Sequence, residues 1–92
     1  MIFVGFRDKI GRIDVGGVVK YINQNKEKYS EVYFLHRKPL HPAVEGLIND
    51  AGFKHILTNN FKGEIAKLKE KGKVEVYDLD DFGDRALSRD IE

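Results

Sequence analysis

The chain has no cysteine and no tryptophan, and only two prolines, one methionine and one glutamine among its 92 residues. Without cysteine there is no disulfide framework, no thiol chemistry and no thiolate metal site. No apolar run approaches the roughly 18 residues that a membrane-spanning helix needs. Met1 to Val4, halted by Gly5, is too short for the apolar core of a secretory leader, so the expected location is the cytoplasm. An excess of one charge is missing too. Sixteen Lys and Arg face 15 Asp and Glu, a net charge of +1. That balance makes contact with DNA or RNA a weak expectation. The Lys- and Glu-rich composition points to a heat-tolerant protein.

What is present suits one soluble domain with a modest core: 41% of residues are hydrophobic and 34% charged. We read 1–92 as a single α/β domain, with 80–92 as an acidic tail or short helix. The charges are unevenly placed. Residues 1–73 carry 14 Lys and Arg against 8 Asp and Glu (+6), whereas residues 75–92 carry 2 against 7 (−5). A basic body next to an acidic end is either plain solvation or a surface for an anionic partner.

Four β-branched and aromatic runs read as strands: Ile2–Phe6, Val32–Leu35, His55–Leu57 and Val74–Leu79. Three helical patterns alternate with them. The first takes Asp14 as its N-cap and carries Val15, Val18, Val19, Ile22 and Tyr29 on one face. The second has Pro42 in its first turn, a stripe of Ala43, Val44, Leu47, Ile48 and Ala51, and Gly52 as its stop. The third is capped by Asn60, presents Phe61, Ile65 and Leu68, and ends with Lys69 and Lys71 before Gly72.

The order β-α-β-α-β-α-β predicts a three-layer α/β/α sandwich around a mainly parallel four-stranded sheet, Rossmann-like or flavodoxin-like. A strand order of 2-1-3-4 is expected. So small a core favours a homodimer, with Tyr33, Tyr77 and Phe82 as candidate interface aromatics.

Ligands of such sheets bind beyond the carboxyl ends of the strands. That rule gathers Arg7, Lys9, Arg12, Gly16, Gly17, Arg37, Lys38 and Asn59 as candidates for a phosphate-bearing small molecule. Arginine grips phosphate bidentately, and Gly16 and Gly17 would leave helix N–H groups open to an anion. The glycines follow neither G-x-G-x-x-G nor a P-loop spacing. "FLHRKPLHP" places His36 and His41 where acid–base work is done, with Asp8 as the nearby carboxylate. His55, at the start of its strand, is expected at the opposite edge. Ser30 and Ser88 sit in no nucleophile motif.

In "YDLDDFGD", Asp78 and Asp80 alternate so that both can share Mg²⁺. The D-x-D-x-x-G pattern of Asp78, Asp80 and Gly83 resembles the acidic motif of Toprim domains, the Mg²⁺-binding modules of topoisomerases, primases and small nucleases. In that family the first strand ends in glutamate then glycine; here "FVGFRD" keeps Gly5 and lacks the glutamate. The acidic pair also follows the fourth strand. The family is therefore not assigned.

Three functions are carried forward. The first is a binding or regulatory module for a phosphate-bearing ligand. The others are a Mg²⁺-dependent nuclease or phosphoryl-transfer enzyme, and a structural or protein-interaction domain.

Overall fold

The computed structural model describes residues 1–80. Phe82, Gly83, Asp81, Asp84 and the expected acidic tail lie outside the described residues.

The seven elements alternate as the sequence implies: β1 (Ile2–Phe6), α1 (Arg12–Gln24), β2 (Glu31–His36), α2 (Pro42–Asp50), β3 (Lys54–Leu57), α3 (Phe61–Lys69) and β4 (Val74–Asp78). All strand pairs are parallel. Their order is β3-β2-β1-β4, which corrects the expected 2-1-3-4. The reason lies in composition. A central strand of a parallel sheet is covered on both faces and reads as a continuous apolar run. β1 and β2 are buried along nearly their whole length, whereas the four residues of β3 are half-buried or exposed. "KHIL" suits an edge, and the expected order would have put it in the middle.

This order also decides where the helices go. The chain steps from β1 to β2 to β3 in one direction, then returns across the sheet to β4. Right-handed crossovers then place α1 and α2 on one face and α3 on the other. The core divides accordingly. Phe3, Phe34, Val15, Val18, Val44 and Ile48 form one cluster under α1 and α2. Val4, Tyr33, Leu35, Phe61 and Leu68 form another under α3. Phe34 is fully buried, and its truncation to Ala would cost about 3–5 kcal/mol.

Several local readings shift by a turn or by a face. α1 begins at Arg12 with Gly11 as its N-cap, so Asp14 is its third residue and not its cap. The Asp14 carboxylate still accepts the Gly11 N–H at 2.8 Å, half of a capping box. Tyr29 lies beyond α1, yet joins the same cluster. On α2 the stripe is narrower than expected, since Leu47 and Ala51 are exposed. Pro42 opens α2 as expected, and Gly52 ends it at φ +76°, where a side chain would be strained. Among the described residues no helix is long and apolar enough to cross a membrane.

Candidate functional site at the carboxyl edge of the sheet

The loops after β1 and β2 are fastened to each other. The Asp8 carbonyl accepts the N–H groups of Arg37 (3.0 Å) and Lys38 (2.9 Å). The Arg37 guanidinium in turn bonds the Asp8 carboxylate. This edge therefore presents its charged side chains from a braced backbone.

Arg7 leaves β1 at the centre of the edge and is already occupied. Its Nη1 donates to Asp14 at 2.9 Å, and its Nε reaches Asp80 at 2.8 Å. Asp14 is buried, so its carboxylate depends on this guanidinium and on the Gly11 N–H. The hydrogen bond and charge of Asp14 hold the Arg7 pKa above its ordinary value. The cleft around it, about 770 Å³, is lined by Arg7, Lys9 and Arg12 but also by Asp8, Asp14 and Asp80. Cations and carboxylates balance there.

Gly16 and Gly17 do not serve this cleft through their backbone. They are the fifth and sixth residues of α1, beyond the first four N–H groups that a helix leaves open. A Cβ on Gly16 would meet nothing within 4 Å, so close packing does not require glycine there. In the opening loop Arg7 and Asp8 are both ion-paired, Arg7 to Asp14 and Asp80 and Asp8 to Arg37.

The histidines also depart from expectation. His41 caps α2, its Nδ1 accepting the Ala43 N–H at 3.1 Å. His36 is buried. Its Nδ1 lies 2.7 Å from the Lys38 carbonyl, which only accepts, so Nδ1 carries the proton. His36 Nε2 is then the acceptor toward His55 Nδ1 at 3.3 Å. His55 thus sits beside His36, and not at the opposite edge, because β3 pairs with β2 with His55 level with Phe34. On its far side His55 Nε2 is 4.0 Å from Glu45. Burial, followed by the charge of His55, pushes the His36 pKa down against the opposing pull of the Lys38 carbonyl.

Asp78 and Asp80 are both engaged within the chain. Asp78 Oδ1 accepts the Asp80 N–H at 3.0 Å, and Asp80 faces Arg7. The guanidinium stands where a shared cation would be needed. Among the described residues no three His, Asp or Glu side chains gather as a metal site.

The open ground lies on the α3 side. A groove of about 340 Å³ is lined by Phe6, Arg37, Asn59, Asn60, Phe61, Lys62 and Ile65. Among the described residues that line it are two cations and no carboxylate. Phe61 is buried, its ring 5.5 Å from that of Phe6. The Arg37 guanidinium lies over Phe61 with its carbon 4.1 Å from the ring centroid, a cation–π contact. The Asn60 side chain is spent on the α3 cap, accepting the Gly63 N–H at 3.0 Å. Gly63 is what leaves room for that cap, since a Cβ there would come within 2.4 Å of Asn60 Nδ2. Glu64, the acid of this turn, is paired with Lys67 at 3.5 Å.

Of the sequence candidates, Arg37 and Asn59 meet in this groove, while Arg7, Lys9 and Arg12 meet in the balanced cleft. Lys38 is exposed on the loop between. Sequence reasoning missed Lys62 as a site residue, although it directly follows the "NNF" that opens α3. Compared with protein-family models, curated proteins and solved structures, the chain finds no match.

Proposed function

We propose that the protein is a small binding module that takes a phosphate-bearing ligand at the carboxyl edge of its sheet, in the groove between α3 and the ends of β1 and β2. The supporting observation is that the described residues lining the groove include Arg37 and Lys62 and no carboxylate, the Asp8 partner of Arg37 standing outside that lining. Arg37 contributes a planar donor set, Lys62 a mobile point charge, and Asn59 a neutral amide. Catalysis has no comparable support, because His36 is buried, His41 is a helix cap and Asp80 is held by Arg7.

A cytoplasmic homodimer remains part of this reading, with different surfaces from those first expected. Tyr33 is buried under α3, and Tyr77 is bonded to Tyr21 and Glu75. What supports self-association instead is that β3 and β4 are both outer strands in the sheet order.

Calorimetric titration with pyrophosphate tests the binding site. Affinity that falls as salt rises, and that drops about 10-fold in Arg37→Ala and in Lys62→Ala, is the expected result. A larger loss in Arg7→Ala than in Arg37→Ala would move the site to the opening loop. Absence of binding up to millimolar pyrophosphate would remove the reading.

A further inference from the structure

The groove is not shaped for phosphate alone. Its lining joins the apolar Phe6, Phe61 and Ile65 to polar and charged side chains, Arg37, Asn59 and Lys62 among them. An inorganic anion gains nothing from an aromatic lining, and leaving apolar surface in contact with water has a free-energy cost. The groove adjoins the cleft lined by Arg7, Asp8, Asp78 and Asp80, and both share Phe6, Arg37 and Phe61. Arg37 is the hinge between the two.

That residue has two faces. One lies on Phe61, and one edge is taken by Asp8. The side chain as a whole remains 44% exposed, so part of it is open to solvent beside the ring. A guanidinium plane backed by an aromatic ring is a stacking surface for a flat heteroaromatic group. Asn59, exposed beside it, has an amide that both donates and accepts, as the edge of a base requires. Lys62 supplies the charge for a phosphate. At about 340 Å³ the groove lies at the small end of the range for small-molecule pockets, which is room for one unit of this kind.

We infer that the groove takes a nucleotide unit, its base stacked on the Arg37 plane over Phe61 and hydrogen-bonded by Asn59, and its phosphate held by Lys62. The inference rests on the anion-binding reading above and narrows its ligand class. The unit comes either as a free nucleotide or as one residue of a single strand, which share this chemistry.

Titrations of the full chain with pyrophosphate, with each of the four ribonucleoside diphosphates and with short single-stranded oligonucleotides separate these cases. At least one nucleoside diphosphate is expected to bind about 10-fold tighter than pyrophosphate, within the range that one base–aromatic stack supplies. Arg37→Lys keeps the charge and loses the plane. It is expected to weaken nucleoside diphosphate binding by a larger factor than pyrophosphate binding, so that the advantage is lost. Asn59→Ala, exposed and outside the core, is expected to lower nucleoside diphosphate affinity by a larger factor than pyrophosphate affinity.

Tighter binding of an oligonucleotide than of any mononucleotide assigns the unit to a strand, and the reverse assigns it to a free nucleotide; either supports the inference. Equal affinities for pyrophosphate and all four nucleotides would overturn it and leave the anion site standing. Binding of neither would overturn both.

Discussion

The two faces of the sheet treat their polar groups in opposite ways. On the α1/α2 face, polar side chains answer one another. Asp14 holds Arg7, and His36 lies between the Lys38 carbonyl and His55. Glu75 accepts the hydroxyls of Tyr29 and Tyr77 and an ion pair from Lys28 at 2.9 Å. On the α3 face, Arg37 and Lys62 border an apolar groove lined by no carboxylate among the described residues. On the first face the charges are paired with buried or half-buried groups, whereas on the second Arg37, bonded to the exposed Asp8, and Lys62 also border apolar surface. A cation's worth to a ligand therefore depends on what already surrounds it, and a count of arginines cannot supply that.

The contrast predicts that substitutions on the first face damage stability and those on the second damage binding. The largest effect is expected at Glu75. Burial alone would raise its pKa, but the Tyr29 and Tyr77 hydroxyls and Lys28 outweigh burial and bring it down to about 2. A carboxylate whose folded pKa is depressed stabilises the fold above its unfolded value. That contribution fades as pH falls through the folded one. It amounts to about 3 kcal/mol. Urea unfolding of Glu75→Gln should show most of that loss at pH 7, with a flatter stability curve between about pH 4.5 and 2 than the unsubstituted protein. An unchanged acid limb would mean that the tyrosine hydroxyls are not bound to this carboxylate.

Asp14→Ala comes next. It leaves the Gly11 N–H and Arg7 without their partner, a loss of about 2 kcal/mol, discounted because Arg7 is partly exposed. The same change frees one edge of Arg7. A gain in pyrophosphate affinity in this variant would sharpen the contrast, by converting a closed cation into an open one.

His36 gives a smaller effect of the same pH sense, in a window at higher pH. Its folded pKa lies below the ordinary histidine value, so the unfolded chain takes up a proton that the buried ring refuses. Stability should fall as pH drops below about 6.5, with a slope no steeper than about 1.4 kcal/mol per pH unit. His36→Asn, whose amide N–H replaces Nδ1 toward the Lys38 carbonyl, should flatten that region of a thermal-unfolding series. His55 and Glu45 face the same ring system, so Glu45→Gln is the control for their share.

The smallest stability change is expected for Arg37→Ala, under about 1 kcal/mol, since its pair with Asp8 is exposed. A loss of 2 kcal/mol or more would place Arg37 with the structural charges and break the comparison.

The strands, the helices and two of the caps were legible because each depends on neighbours in the chain. β1 falls where "IFVGF" puts it, and Pro42, Gly52 and Asn60 mark helix ends as expected. Asp14 was legible as a group at a helix start, but its position within the turn was not, because Gly11 offers no side-chain signal. The groove was half legible. Arg37 and Asn59 were named from their places after strands, whereas the Phe61 platform and Lys62 were read only as parts of a helix.

By itself the sequence determined an alternating α/β chain with parallel strands, crossover helices and no cysteine chemistry. Local propensity and periodicity act over a few residues and need no partner. The tertiary structure alone decided the strand order, the meeting of His36 with His55, and the capture of Arg7 by Asp14 and Asp80. His36 meets His55 only because β3 pairs with β2, and Arg7 reaches Asp80 only because the chain returns across the sheet to set β4 beside β1.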